Sequence, residues 1–259
     1  MKNENSDAYA QAVVFTGLVG LFSLIVLLFQ GGFKSSLSWN KLPLFLLLAI
    51  LTAMAMVFTF KGLKSIDASE HAILLISSKL WLILGAIFFL QESFTATKLL
   101  GAIVILFGVM LAEWKKQTFV LSKGAVYVLL AAILFAAGEI LSYFIIRNFD
   151  VMSFMVYTTF FITTILIVLR PGIIKKFSFY FEQKHALNII TTSVNDGLAT
   201  FFGFTAYQIG RNALQIGPLM ATQTLLTVLL AIIFLNERDR VLQKIIGSLA
   251  AVIGTILLL

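Results

Sequence analysis

The chain alternates between long apolar runs and short polar connections. A helix needs about 20 apolar residues to cross the hydrocarbon core of a bilayer. Windows of that length predict nine membrane-spanning helices, at Ala10–Phe29, Leu42–Leu63, Ala68–Leu90, Thr95–Trp114, Lys123–Asn148, Val151–Leu169, Ala186–Gly210, Ala213–Leu235 and Val241–Leu259. Because apolar residues fill these runs continuously and not at every second position, the pattern excludes a transmembrane β-barrel. We therefore expect an all-α integral membrane protein.

The composition supports this expectation. Of the 259 residues, 60% are apolar and 12% are charged, against roughly half and a quarter in soluble domains. The 19 Lys and Arg residues give a net charge of +7 and lie mostly in the short connections, so anionic lipid headgroups and membrane orientation explain them better than nucleic acid does. The chain has no cysteine and two histidines, which excludes thiolate chemistry and argues against a metal centre.

Three blocks of sequence occur twice, in the same order and with an offset of 145 or 146 positions. The blocks are Phe58-Thr59 and Phe204-Thr205, then Phe89-Leu90-Gln91-Glu92 and Phe234-Leu235-Asn236-Glu237, then Lys98-Leu99-Leu100-Gly101 with Gly108 and Lys244-Ile245-Ile246-Gly247 with Gly254. Five helices separate equivalent blocks, and an odd number makes successive repeats enter the membrane in opposite orientation. Such inverted repeats are typical of transporters. We assign residues 1–118 to a first repeat of four helices and residues 119–259 to a second repeat of five helices.

Several of these features resemble the EamA-type permeases of the drug/metabolite transporter superfamily. They are the Phe-Lys-Gly-Leu-Lys end of the second helix at Phe60–Lys64, the Phe-Leu-x-Glu ends at Glu92 and Glu237, and the paired glycines of the last helix in each repeat. The resemblance implies ten helices in two inverted five-helix repeats around a central cavity. It also implies movement of small metabolites without ATP hydrolysis and usually without a bound cofactor. The first helix of that plan is missing here, which a start at an internal Met, a fragment or loss of the helix would each explain.

Basic residues indicate the orientation of the chain in the membrane. With nine alternating helices, thirteen Lys and Arg residues lie on the side of the N-terminus and five on the other side. The five are Lys34, Lys41, Lys98, Arg147 and Arg211. We therefore expect a cytoplasmic N-terminus and an external C-terminus. A ten-helix chain with the usual cytoplasmic N-terminus of the family would have the reverse loop sidedness.

Three charged residues lie near the middle of predicted spans: Lys79, Glu139 and Asp196. A charge at the centre of a bilayer costs about 2.5–3.5 kcal/mol on insertion scales, and such residues usually face a cavity or a partner. We interpret them as the centre of a substrate- or proton-binding cavity, in which Lys79 neutralises one carboxylate and the other stays free. The alternative is a structural ion pair that joins helices. Four further side chains are assigned to the cavity because they are polar at a similar depth or aromatic, namely Asn195, Gln223, Trp81 and Tyr207.

Residues at helix ends and helix faces have structural interpretations. Glu92 and Glu237 end their spans, and we expect each to accept free amides of the following helix. The glycines of the last helix in each repeat are seven positions apart, at 101 and 108 and at 247 and 254. We expect them to allow close helix packing, with a dimer face as the alternative.

The sequence lacks the G-x-x-x-x-G-K-[ST], H-E-x-x-H and G-x-S-x-G motifs, so it carries no signature of an ATPase, a zinc protease or a serine hydrolase. We expect a secondary-type permease of the plasma membrane and not an enzyme. It would move a small polar metabolite through a central cavity between the inverted repeats, without cofactor or metal. Its expected partners are that small-molecule substrate and membrane lipids, with a homodimer left open and no nucleic acid. The alternatives are a non-transporting scaffold or accessory subunit, and a lipid-modifying membrane enzyme.

Overall fold

A computed structural model describes residues 6–82, 84, 95–115, 118–119, 121–146, 148–210, 213–237 and 239–258. Its helices, in chain order, are α1 (Ala8–Phe29), α2 (Leu42–Ser65), α3 (Ala68–Leu75), α4 (Ala96–Glu113), α5 (Lys123–Ile146), α6 (Val151–Leu169), α7 (Ser178–Phe181), α8 (Gln183–Gly210), α9 (Ala213–Phe234) and α10 (Val241–Leu258). Helical backbone also covers 78–82, and a 3₁₀ helix covers Pro171–Lys176. Two-residue strands, β1 (Trp114–Lys115) and β2 (Thr118–Phe119), pair antiparallel. Apart from this short pair, the expected all-helical fold is confirmed.

Four of the described helices are long and apolar enough to cross a membrane: α1, α2, α5 and α6. Shorter apolar helices within the described residues cover Ala96–Leu111, Gln223–Phe234 and Val241–Leu257. The predicted span that begins at Ala68 differs, because α3 ends at Leu75 and helical backbone resumes only at residue 78. Residues 83 and 85–94, and with them Glu92, lie outside the described part of the chain. The number of nine spans therefore stays a prediction.

Short polar side chains and glycine determine where the helices begin and end. Asp7 caps α1 by accepting hydrogen bonds from the backbone amides of Tyr9 and Ala10, at 2.9 and 3.4 Å. Asp150 caps α6 in the same way. These carboxylates satisfy amides of the first turn that have no partner inside the helix. At the other end of α1, Gly31 has φ +93°, a left-handed conformation that glycine adopts without steric cost.

The chain divides into two compact units. Unit 1 comprises Met1–Phe60 and Leu141–Arg211, and unit 2 comprises Lys61–Ile140 and Asn212–Leu259. Each unit combines a segment of the first predicted repeat with a segment of the second. The spatial units therefore differ from the sequence halves 1–118 and 119–259, and the division of the chain into those halves stays a prediction.

In unit 1, α1 packs along α6, and α8 contacts both helices. The first two are equivalent helices of the two repeats, so unit 1 is centred on a pair of repeat-related helices. Its core is rich in aromatic side chains. Phe45 is fully buried, and the centroid of its ring lies 5.2 Å from that of Phe149 and 5.8 Å from that of Phe154. The burial of these apolar rings stabilises unit 1.

In unit 2, α4 packs closely along α10, which is its equivalent in the second repeat. A Cβ atom added to Gly108 would lie 2.6 Å from the carbonyl oxygen of Gly247, and one added to Gly254 would lie 2.7 Å from that of Gly101. This pairing of positions shows that the two helices are antiparallel, as repeats of opposite orientation require. The expected close packing through glycines is confirmed, and the glycine face is occupied within the chain.

Candidate functional site

Lys79 and Glu139 form an ion pair in unit 2, and we call these two residues the Lys79 pair. The Lys79 ammonium nitrogen Nζ donates to both carboxylate oxygens, at 3.0 Å to Oε1 and 2.9 Å to Oε2. The side chains are 19% and 25% exposed, respectively. Glu139 lies in the continuous helix α5, whereas Lys79 directly follows an interruption of the helical backbone.

The backbone before Lys79 departs from regular α-helix. Three amides there bond to the carbonyl three residues back instead of four, at 3.0–3.1 Å. The bonds run from Ser77 to Leu74, from Lys79 to Ile76 and from Leu80 to Ser77. No proline or glycine occurs in this stretch, so no helix-breaking residue explains the interruption. Tightened stretches inside helices often mark a hinge or a functional site.

Two serines lie beside the Lys79 pair in the chain. Ser77 and Ser78 are both buried, and the Ser77 hydroxyl oxygen has no hydrogen-bond partner in the part of the chain that the structure describes. A buried hydroxyl without a partner costs about 1–3 kcal/mol. The described protein groups therefore leave this hydroxyl with unused hydrogen-bonding capacity. The short stretch around the interruption thus supplies an ammonium group and a hydroxyl, and α5 supplies a carboxylate.

Asp196 lies in α8 and belongs to unit 1. It is part-buried, and none of the described residues forms a hydrogen bond or an ion pair with it. Asn195, the preceding residue, is exposed. Tyr207 of the same helix stacks on Tyr143, with ring centroids 4.0 Å apart. Of the two carboxylates predicted near the membrane centre, Glu139 is thus the partner of Lys79, and Asp196 has no partner among the described residues.

The remaining predicted cavity residues are Trp81 and Gln223, and both belong to unit 2. Both side chains are exposed. The structure thus brings Lys79 and Glu139 into contact and assigns the tryptophan and the glutamine to the same unit. Asp196, Asn195 and Tyr207 belong to unit 1. A common role for the seven residues stays a proposal.

A second charged cluster in unit 2 is not anticipated by the sequence. Lys244, in the first turn of α10, is 1% exposed, and its Nζ donates to Asp67 Oδ2 at 2.9 Å and to Glu237 Oε2 at 3.3 Å. Ser69 donates to the same oxygen of Glu237. We call these four residues the Lys244 cluster. Lys244 is one of the thirteen basic residues assigned to the side of the N-terminus, as if it lay in a connection. Its place inside the apolar span that begins at Val241 indicates burial.

Glu237 caps a different helix from the one expected. Its carboxylate accepts hydrogen bonds from the backbone amides of Ala68 at 2.8 Å and Ser69 at 3.3 Å, which are free amides at the N-terminus of α3. The following helix, α10, begins only at Val241. Asp67 occupies the N-cap position of α3 without making a side-chain capping bond, and it accepts from Lys244. The first turn of α3 therefore takes its acceptor from a distant part of the chain.

Comparison with known proteins identifies the class of this one. The EamA-like transporter family matches the chain twice, over residues 4–114 and 122–259. The protein is thus a membrane transporter built from two repeats. The chain belongs to the EamA-like transporter family, which confirms the resemblance seen in the sequence.

The fold is similar to that of a solved structure described as "Crystal structure of protein", with a TM-score of 0.64. The similarity covers 98% of this chain and 88% of that chain at 16% sequence identity. At that identity the similarity shows the fold alone. No curated protein sequence matches the chain.

Proposed function

We propose that the protein is a secondary-type permease that moves a small polar metabolite across the plasma membrane, with the Lys79 pair at its substrate site. The observation that carries the proposal is a part-exposed ion pair beside an interrupted helix in an apolar segment. Membership of the family supports membrane transport in general. We expect neither ATP hydrolysis nor a bound cofactor.

Interrupted backbone and charged side chains cost free energy in a membrane. Backbone that leaves the α-helix at membrane depth is tolerated where protein buries it or where it lines a water-filled cavity. Transporters use interrupted helices of this kind to bind substrates and ions. The Lys79 pair keeps part of its surface accessible, so a polar substrate could contact Lys79 or Glu139 without a complete rearrangement of unit 2. The unsatisfied hydroxyl of Ser77 would add a hydrogen bond.

We further propose Asp196 as the group that takes up a coupling proton or a cationic group of the substrate. A carboxylate in an apolar membrane helix costs free energy, and such residues usually have a partner or a functional role. Among the described residues Asp196 has no partner. The polar face of α8 around it, with Thr200 and Tyr207 at helical spacing, supports this role.

Flux measurements on the full chain in liposomes test the proposal. Vesicles with and without protein are loaded with a mixture of small polar metabolites, and the loss of each metabolite is followed by mass spectrometry. The wild-type chain should release a subset of the mixture. The double variant Lys79→Met with Glu139→Gln should fold, because removing both partners of an ion pair is often nearly neutral, but it should release none. Lys123→Met, a change of an exposed lysine in the same unit, is the control and should retain flux.

The same assay separates the alternatives. A covalently changed metabolite would indicate an enzyme, and unchanged contents with well-folded protein would indicate a scaffold. Asp196→Asn should leave folding intact and remove the dependence of flux on the pH difference across the membrane. Normal flux of the Asp196→Asn variant at every pH tested would contradict the role of that residue and leave the Lys79 pair to be judged by its own variant.

We also propose that the N-terminus is cytoplasmic and the C-terminus external. Lys244 is buried and ion-paired, so the count of loop charges becomes twelve against five, and the bias remains. A reporter fused after Leu259 should be active outside the cell, and one inserted in Arg170–His185 should report the cytoplasm. The opposite result for the second fusion would reverse the assignment.

A further inference from the structure

The connection between α6 and α8 is folded, although it lies outside the long apolar helices. It consists of the 3₁₀ helix Pro171–Lys176 and the single turn α7. Four basic residues and one acidic residue occur between residues 170 and 184. A short folded segment of this composition needs an explanation beyond joining two helices, since a few flexible residues would do that.

Two buried side chains anchor the segment to unit 1. Ile173 is 1% exposed and Tyr180 is 5% exposed. The Tyr180 hydroxyl donates to the carbonyl oxygen of Asp7 at 2.7 Å and accepts from the backbone amide of Asp7 at 3.1 Å. Since Asp7 caps α1, the segment is attached to the first turn of that helix.

The segment also exposes apolar and basic side chains. Ile174 is 52% exposed and Phe181 is 51% exposed. Lys175 and Lys176 lie between them and are exposed as well. A short segment that exposes both apolar and basic side chains is typical of the interface of a membrane, where apolar groups reach the acyl boundary and ammonium groups reach the phosphates.

The charges on this surface are only partly neutralised within the protein. Asp7 accepts from Lys176 at 2.6 Å and lies 3.6 Å from Arg170, so one carboxylate serves two cations. Lys175 forms no ion pair with any residue that the structure describes. Glu182, which follows α7, is exposed as well. The three cations still outnumber the two carboxylates, so the surface keeps a net positive charge, which favours an anionic lipid headgroup over a zwitterionic one.

We propose that the segment from Pro171 to Phe181 is an interfacial lipid-binding element that recognises the phosphate headgroups of anionic phospholipids. Ile174 and Phe181 enter the headgroup region, and Lys175 binds the phosphate. Lys176 and Arg170 remain linked to Asp7, so lipid binding holds the N-terminus of α1 at the membrane surface. This inference does not depend on which substrate the protein moves.

Thermal unfolding of the purified full chain in detergent tests the proposal. Phosphatidylglycerol and phosphatidylcholine with the same acyl chains are added in parallel, and the unfolding midpoint is measured. Phosphatidylglycerol should raise the midpoint more than phosphatidylcholine does, by about 2–4 °C for each lysine that meets a headgroup. Lys175→Gln should remove most of that difference and leave the midpoint in phosphatidylcholine unchanged.

Two controls make the result specific. Lys34→Gln changes an exposed lysine of the connection between α1 and α2, and it should leave the lipid difference as in the wild type. Inorganic phosphate at matched concentration should not shift the midpoint. Equal effects of the two lipids, equal behaviour of the Lys175 and Lys34 variants, or a shift caused by free phosphate would each overturn the proposal.

Position in the membrane provides an independent measurement. The chain has no cysteine, so Ile174→Cys introduces a single site for a nitroxide spin label. In bilayers that contain phosphatidylglycerol, the label should be more accessible to dissolved oxygen, which concentrates in lipid, than to a water-soluble nickel chelate. Greater accessibility to the nickel chelate would place the segment in water and overturn the proposal.

Discussion

Unit 2 contains two clusters of the same chemistry, a lysine ammonium group with carboxylates, that differ in how completely the protein encloses them. Lys244 is 1% exposed and donates to two carboxylates. Lys79 is 19% exposed and, among the described residues, donates to Glu139 alone. Glu237 of the Lys244 cluster also accepts two backbone amides of α3, whereas the backbone beside Lys79 is interrupted.

This difference separates a charge that stabilises the fold from a charge that a ligand can reach. The electrostatic attraction within a buried ion pair offsets the free energy of desolvation only when further hydrogen bonds satisfy both partners. The Lys244 cluster meets that condition with protein groups at the lysine, which is 1% exposed, although the Asp67 carboxylate is still 26% exposed. The Lys79 pair is incompletely enclosed, and Ser77, two positions before Lys79 in the chain, has an unsatisfied hydroxyl. For these reasons we propose the Lys79 pair, and not the Lys244 cluster, as the contact for a substrate.

A third pair extends the comparison into unit 1. Lys176 contacts Asp7 at 2.6 Å and is 52% exposed. The exposed fraction of the side chain thus rises along a series of three lysines, from 1% for Lys244 through 19% for Lys79 to 52% for Lys176. We expect the effect on stability to fall along this series and the effect on transport to be confined to its middle member.

The largest loss of stability is expected for Lys244→Met. This change removes a buried cation and leaves the part-buried carboxylates of Asp67 and Glu237, which are 26% and 11% exposed, without it. Breaking a fully buried pair on one side typically costs about 3–5 kcal/mol, so we expect a loss near the lower end of that range. The amount of monodisperse protein after heating measures the effect. Lys123→Met, which changes an exposed lysine of the same unit, is the matched control. Equal heat resistance of the two variants would show that the Lys244 cluster does not stabilise unit 2.

Gly108→Ala provides an uncharged reference in the same unit. The added Cβ would lie 2.6 Å from the carbonyl oxygen of Gly247 and 3.0 Å from the amide nitrogen of Ala251, so α4 and α10 must separate. Overpacking of this kind costs about 1–3 kcal/mol. Gly172→Ala, where nothing lies within 4 Å of the new atom, should have little effect. If Gly108→Ala reduces stability but retains flux, a loss of flux in the Lys79 variants cannot be ascribed to a loosened unit 2.

Lys79→Met should cost about 1–2 kcal/mol, because the partial exposure of the pair places it between buried and surface ion pairs. It leaves Glu139 without its cation, and adding Glu139→Gln should restore part of the lost stability. Midpoints of thermal unfolding for the two single variants and the double variant form the test. If the double variant is less stable than either single one, the residues do not act as a pair.

Asp7→Asn should have the smallest effect, at most about 1 kcal/mol, because the ion pair with Lys176 is half exposed and asparagine still caps a helix. Burial raises the pKa of the Asp7 carboxyl, but hydrogen bonds from Lys176 and from the amides of Tyr9 and Ala10 outweigh it and leave the pKa below its ordinary value of 3.8. Because the pKa is lower in the folded state, the ionised carboxylate of Asp7 stabilises the fold above pH 3.8. This stabilisation is lost as the pH falls through the pKa of the folded state.

The measurement is the difference in unfolding midpoint between the wild type and the Asp7→Asn variant as a function of pH. The difference should be constant near neutral pH and should close at acidic pH. A difference that does not shrink as the pH falls below the lowered pKa of the folded state would show that the carboxylate charge is not what stabilises the end of α1.

The sequence by itself determined the class of the protein, the helical fold, the repeated blocks and the presence of charges in apolar segments. These properties can be predicted from the sequence because the free energy of transferring a helix into a bilayer is close to a sum of contributions from residues that are neighbours in the chain. Close packing through the glycine pairs could also be predicted, since small residues two turns apart lie on one helix face. The carboxylate that pairs with Lys79 could not be predicted from the sequence. Glu139 and Asp196 both lie well inside their helices, and sequence spacing contains no information that chooses between them.

Only the tertiary structure decided which charges meet and where a helix breaks. Asp67 and Lys244 are 177 positions apart, and Glu237 caps a helix 169 positions away. The interruption before Lys79 contains no residue that would end a helix alone. Hydrogen bonds and ion pairs act over a few ångströms, so they depend on which segments packing brings together. For that reason one lysine of unit 2 became part of the framework and the other a candidate for binding substrate.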